Sequence, residues 1–237
     1  MLTRDYDINL GISLAIGFIL FTVLGTITHE LGHFTFAKLL GHEASISYNK
    51  THWIDDTDLH RFDSIYDRYS SEIAKGVEYP AKKEFEDMIM KSSRDSLLIS
   101  LGGPLQTMLS GTIGVLMLLR YRKYFSASTK LNFKQWLIIF ISLFWLRQIF
   151  NFIHSLFVFL LKGYFPSRND EVKISVELGI NKLSITSSTA LIAIIILCLA
   201  LKFIPIRQRL TFLISGLIGG IIGFYVWFYL VGPIVMP

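Results

Sequence analysis

The residues best suited to chemistry lie in the pentapeptide HELGH, residues 29–33. On a helix, side chains four positions apart project from one face, so His29 and His33 are placed to hold one metal ion. Two imidazoles, a third protein ligand and a water form a common catalytic zinc site. Glu30 is then positioned to take a proton from the water and pass it to a leaving amine. The pentapeptide predicts one catalytic Zn²⁺ with Glu30 as general base.

The sequence around this pentapeptide is apolar on both sides. Residues 18–27 precede it, and Phe34, Phe36, Leu39 and Leu40 follow it. The simpler interpretation is a pair of helix-packing histidines beside a glutamate that reaches towards the membrane surface. Ionisable groups at membrane depth are costly and usually functional, which favours the metal site.

The composition indicates a membrane protein. Of the 237 residues, 52% are hydrophobic and only 17% are charged, whereas soluble domains carry about 25% charged residues. Long apolar runs alternate with polar loops, as in multi-pass integral membrane proteins. We expect an all-α polytopic fold whose five transmembrane helices lie near residues 8–40, 97–119, 136–161, 190–204 and 212–231. The second span is predicted to be broken near Gly102-Gly103-Pro104.

The chain divides into four expected regions. Residues 1–41 form a first core helix with HELGH, and residues 42–95 form a polar insertion. Residues 96–187 hold the second and third core helices and an acidic loop, and residues 188–237 hold two C-terminal helices. Within the insertion, alternation over residues 43–48 predicts a short strand, and helical spacing of apolar residues predicts amphipathic helices.

Charge and cysteine content exclude several classes of function. The net charge of +5 lies mostly in short loops, where it sets membrane topology rather than binding nucleic acid. The basic loops 120–134 and 205–210 are therefore expected on the same side of the membrane. Cys198 is the only cysteine, which excludes an internal disulfide and a cysteine-based zinc site.

A family resemblance appears at the first motif. Residues 28–34 (THELGHF), followed by Ala37-Lys38 and Leu40-Gly41, resemble the first core helix of the site-2 protease family of intramembrane zinc metalloproteases. The resemblance implies a three-helix metalloprotease core within the membrane. It also implies a Gly-Pro element on the second core helix, which SLGGPL at residues 100–105 resembles, and an aspartate ligand from the third.

The third metal ligand is less clear from sequence. The chain offers PSRNDE, residues 166–171, after the third span. Ser167 or Asn169 is suited to cap a short helix that ends at Gly179, with Asp170 in its first turn. Asp170 is the preferred third ligand, since a carboxylate is an ordinary partner to two histidines. Glu171 and His154 are the alternatives.

Further polar residues lie on one face of the third span. Arg147, Asn151 and His154 are spaced four and three apart inside an apolar segment, which implies a shared partner or a wet cavity. Asn151 and Arg147 are candidate substrate or transition-state contacts, together with Gly103 and Pro104. An interhelical hydrogen-bond network explains the first three equally well.

These features favour a zinc endopeptidase that cuts membrane-protein substrates in or near their transmembrane helices. Such a substrate must unwind locally, since helical hydrogen bonds shield the scissile carbonyl. One alternative is a membrane-anchored HELGH protease with an aqueous chamber, whose third ligand would be Glu171 or Glu177. Another is a non-catalytic metal-binding protein or pseudoprotease, although neither would need Glu30.

Overall fold

A computed structural model describes residues 6–54, 59–166 and 169–237. About 80% of the described residues are helical, and among them five helices are long and apolar enough to cross a membrane. In chain order the described helices are α1 (Ile8–Leu39), α2 (Leu59–Lys75), α3 (Lys82–Arg120), α4 (Arg122–Ser126), α5 (Phe133–Ser142), α6 (Leu146–Lys162), α7 (Asp170–Glu177), α8 (Ser184–Phe203), α9 (Ile206–Tyr225) and α10 (Gly232–Val235).

Two of the five long apolar stretches are composite. A 3₁₀ turn, Leu143–Trp145, joins α5 to α6, and a π-helical segment, Val226–Val231, joins α9 to α10. The predicted fourth span begins six residues too late, because α8 starts at Ser184, and the predicted fifth is shorter than the Ile206–Val235 helix. Polar first turns explain both errors, since they weaken the hydropathy signal without ending the helix.

Helix α1 carries the HELGH segment. The carboxylate of Asp7 accepts from the Leu10 amide at 3.1 Å and caps the helix start. Gly41 adopts a φ of +88° just after the helix ends, a conformation that favours glycine. With 32 residues, α1 is about 48 Å long, more than a hydrocarbon core of about 30 Å.

Helix α3 corrects the predicted break at Gly102-Gly103-Pro104. It runs unbroken from Lys82 to Arg120 with Pro104 inside it, so the 95/96 boundary of the predicted regions falls within one helix. Pro104 removes a single backbone hydrogen bond, which close packing against α1 offsets. A Cβ at Gly102 would lie 2.8 Å from the carbonyl carbon of Gly32, so these glycines let the two backbones touch.

A β-hairpin follows α1. The predicted strand is present as β1 (Glu43–Ile46), and it pairs antiparallel with β2 (Thr51–Ile54), which was not predicted. The π-helical segment contacts the hairpin turn, because the indole of Trp227 donates to the Tyr48 carbonyl at 2.9 Å. The Tyr48 amide in turn donates to the Met236 carbonyl at 2.8 Å.

Aromatic packing holds the helices around the site. The Phe18 ring of α1 lies 4.9 Å from that of Phe140 in α5, and Trp136 stacks 5.8 Å from Phe212 in α9. Such pairs contribute about 0.5–1.5 kcal/mol beyond the area they bury. They fix α1, α5 and α9 relative to one another.

Candidate metal centre

Three side chains from two distant parts of the chain converge on one point. The Nε2 atoms of His29 and His33 lie 3.2 Å apart, and Asp170 Oδ2 lies 3.0 Å from the first and 3.3 Å from the second. Both histidines are buried in α1, and Asp170 is the first residue of α7. The structure therefore brings together the two histidines and the preferred third candidate.

Hydrogen bonds on the far side of each ring fix the orientation of both imidazoles. His33 Nδ1 lies 2.6 Å from the Ile99 carbonyl oxygen, which can only accept, so this nitrogen carries the hydrogen. His29 Nδ1 lies 3.1 Å from Thr107 Oγ1, whose own hydrogen is donated to the Gly103 carbonyl at 2.7 Å. In the neutral rings, both Nε2 lone pairs therefore face the Asp170 carboxylate.

Gly103 of α3 makes room for this arrangement. A Cβ at this position would collide with His33 Nε2 and would lie 2.6 Å from His29 Nε2. Only glycine allows α3 to approach the two imidazoles this closely. The residue predicted as a substrate contact thus has an observable role as the wall of the centre, and Pro104 is buried beside it in α3.

The geometry suits a metal ion. Two lone pairs and a carboxylate oxygen so close together repel one another unless a proton or a metal ion lies between them. A tetrahedral ion with ligands at about 2.0–2.2 Å keeps its ligand atoms roughly 3.3–3.6 Å apart, slightly more than the observed separations. Together with Glu30, the two histidines form a buried group that could hold a metal ion, with ligand atoms within 4.8 Å of one another.

Helix α7 aims Asp170 at the histidines. Asn169 caps the helix by accepting from the Val172 amide at 3.2 Å, which confirms the predicted short helix with Asp170 in its first turn. The same side chain donates to Ser155 Oγ at 2.8 Å and to the Asn151 carbonyl at 3.2 Å on α6. Ser167, the other predicted cap, lies outside the described residues.

Glu171 provides a second attachment of α7 to α6. Its fully buried carboxylate accepts from Asn151 Nδ2 at 3.1 and 3.0 Å. Burial, together with the charge of the neighbouring Asp170, raises the pKa of Glu171. Burial opposes ionisation of Asp170 too, but when the imidazoles of His29 and His33 are protonated, their hydrogen bonds to Asp170 hold the pKa of that carboxyl well below its usual range.

Glu30 lies beside the two histidines and is held by the hairpin. The Thr51 hydroxyl, at the start of β2, lies 2.8 Å from the Glu30 carbonyl and 3.2 Å from its Oε2. Glu30 is only 5% exposed. Its burial and its contact with Thr51 together fix the orientation of its side chain. The hairpin thus positions the predicted general base.

The other candidate ligands point elsewhere. His154 is exposed on α6, where its ring stacks on Phe150 with centroids 6.2 Å apart. Glu171 is turned to Asn151, and Glu177 accepts from Ser93 Oγ at 2.9 Å. Neither glutamate that the aqueous-chamber alternative requires therefore serves as the third partner of the histidines.

Two residues expected to contact substrate differ in their surroundings. Asn151 donates its amide nitrogen to Glu171, which is the interhelical hydrogen-bond network that the sequence allowed as an alternative, and a contact with substrate stays a prediction. Arg147 lines an apolar cavity of about 630 Å³ that lies between α1, the joined helices α5 and α6, and α9. Among the described residues its Nε is buried without a hydrogen-bond partner.

Sequence reasoning missed the residues that support the ligands. Thr107 follows Gly103 by one helical turn, a spacing that could have indicated a polar group on the same face of α3. Thr51 and the Ile99 carbonyl carry no comparable signal, because their roles depend on tertiary contacts. Comparisons with protein-family models, with curated proteins and with solved structures found no match to this chain.

Proposed function

We propose that this chain is a multi-pass integral membrane protein and an intramembrane zinc metalloendopeptidase. Its substrates are membrane proteins, which it cleaves in or near their transmembrane helices. The observation that carries the proposal is the convergence of Asp170 on His29 and His33, which lie with the buried Glu30 in a long apolar helix. The resemblance of HELGH and its flanks to the site-2 protease family supports the same conclusion.

In the proposed centre, His29, His33 and Asp170 hold one zinc ion. Zinc bound by three protein ligands lowers the pKa of a water towards about 7 and polarises a peptide carbonyl. Glu30 accepts a proton from the attacking water and returns it to the leaving amine. Thr51 keeps the Glu30 carboxylate beside the histidines, while Thr107 and the Ile99 carbonyl keep the imidazoles in their metal-binding tautomers.

Substrate access requires local unwinding. The two-stranded sheet, as described, leaves one edge of each strand unpaired, and an unwound peptide can add to such an edge through backbone hydrogen bonds. The hairpin lies directly beside the proposed general base through Thr51. A peptide bound at its edge would therefore be delivered close to Glu30.

Glu30→Gln tests this function. The variant is expected to purify with the same zinc content as the wild type and to lose cleavage of a transmembrane substrate by about 10²–10⁴-fold, because its amide cannot accept the proton. Glu86→Gln, an exposed glutamate on α3, serves as the matched control. Wild-type cleavage by zinc-loaded Glu30→Gln would exclude the mechanism.

A further inference from the structure

The cavity beside the metal centre continues the face of α1 that carries the ligands. Thr22, Gly25 and Thr26 line it, and His29 and His33 follow on the same face at spacings of three and four residues. From Thr22 to His29 the helix rises about 10 Å. A chain lying along α1 in the cavity would therefore reach the metal centre.

The polar groups of this cavity form a mixed set of donors and acceptors. Arg147 offers donors only, and its Nε has no partner among the residues that the structure describes. Thr22 and Thr26 donate to the carbonyls of Phe18 and Thr22 at 2.8 and 3.0 Å, so each hydroxyl oxygen keeps acceptor capacity. The rest of the lining is mainly aromatic and aliphatic.

We propose that this cavity binds an unwound stretch of the substrate backbone, with Arg147 donating to freed carbonyl oxygens and Thr22 and Thr26 accepting from freed amides. The proposal rests on the proteolytic function above. An unwound peptide in an apolar space exposes both donors and acceptors, each costly to leave unpaired. A lipid phosphate would engage Arg147 but offers the threonine oxygens no donor, whereas a polypeptide backbone presents acceptors and donors at regular spacing, so a polypeptide fits the set better.

A double-mutant cycle with synthetic substrates tests this assignment. Single amide-to-ester replacements are scanned along a transmembrane peptide, since an ester lacks the N–H and is a weaker acceptor. In wild type, an ester at the Arg147-facing position is expected to lower peptide affinity and kcat/KM by about tenfold. In Arg147→Met the same ester should have little further effect, because the partner is already missing.

The predicted role of Thr22 and Thr26 is tested separately from that of Arg147. Thr22→Val combined with Thr26→Val should couple to esters at neighbouring positions, where the N–H is lost. Thr35→Val is the matched control, since Thr35 makes the same backbone bond, to the Leu31 carbonyl at 2.7 Å, on an exposed part of α1. Zinc content should stay unchanged in all of these variants.

Peptide binding is measured in the Glu30→Gln background, and cleavage is measured in the background with Glu30 intact. The binding site and the proteolytic function can then be contradicted independently of each other. If wild type does not cleave the peptides but the ester effect on binding still depends on Arg147, the proteolytic function is contradicted and the backbone site is not. Equal ester effects in wild type and Arg147→Met would overturn the backbone site. An equal loss of rate on every peptide would assign Arg147 to the chemistry instead. An anionic lipid that co-purifies with wild type only, without coupling, would make the cavity a lipid site.

Discussion

The metal centre and the Arg147 cavity adjoin each other but differ in how their polar atoms are satisfied. In the centre, the Nδ1 atom of each imidazole is hydrogen-bonded. The neighbours of Asp170, Asn169 and Glu171, are hydrogen-bonded to α6 and so fix its position. In the cavity, Arg147 Nε is buried without a partner among the described residues. A fully supported set suits a permanent ion, whereas an unsatisfied donor in an apolar space suits a ligand that comes and goes.

The difference also shows in the packing. Around the centre, α3 approaches α1 so closely that glycine is required at positions 102 and 103. The cavity instead leaves about 630 Å³ unfilled between aromatic side chains. Rigid packing keeps ligand atoms in place, and under the proposed function the open space beside it would admit a substrate segment.

The largest expected effect comes from Gly103→Ala. Its methyl group would occupy the space of the two imidazole Nε2 atoms, so we expect loss of stoichiometric zinc and, with it, of cleavage. Elemental analysis of the purified protein measures the zinc. Gly220→Ala is the control for metal content, because a Cβ there meets nothing within 4 Å. Full zinc occupancy in Gly103→Ala would show that the helices are less tightly fixed than described.

Asn151→Ala should have the next largest effect. Without its bonds to Glu171, α7 loses part of its attachment to α6, and zinc affinity should fall by about 10–100-fold, as is typical for residues that support a metal ligand. Competition with a chelator measures the affinity. The matched control is Asn181→Ala, whose side chain caps the next turn by accepting from the Leu183 amide at 2.9 Å. If Asn151 contacts substrate instead, KM will change and zinc affinity will not.

Thr51→Val should have the smallest effect of the three. It removes the hydroxyl that holds Glu30 while leaving all metal ligands in place. We expect kcat to fall by about tenfold, within the usual range for a hydrogen bond to a charged group, with zinc content unchanged. Thr51→Ser should restore most of the rate. Loss of zinc in Thr51→Val would mean that the hairpin shapes the metal centre as well as the base.

Sequence alone predicted the parts of this molecule that depend on local periodicity. The four-residue spacing of His29 and His33 set both rings on one helical face, and the turn signals after the third span placed Asp170 at a helix start. Whether Asp170, Glu171 or His154 meets the histidines depends on how α6 and α7 pack. No local pattern encodes that packing.

Errors arose where tertiary contacts override local preference. Pro104 and its two glycines indicate a break, yet α3 continues because the same glycines allow α1 to pack against it. Strand β2 was missed because its sequence, THWI, has two polar residues followed by two apolar ones and so lacks the alternation that indicates a strand.

Zinc K-edge X-ray absorption of the purified protein identifies the atoms that bind the metal. We expect one zinc with two imidazole nitrogens and a carboxylate oxygen at about 2.0–2.2 Å, and loss of the carboxylate contribution in Asp170→Ala. A spectrum with only one imidazole, or one unchanged by Asp170→Ala, would contradict a centre formed by His29, His33 and Asp170.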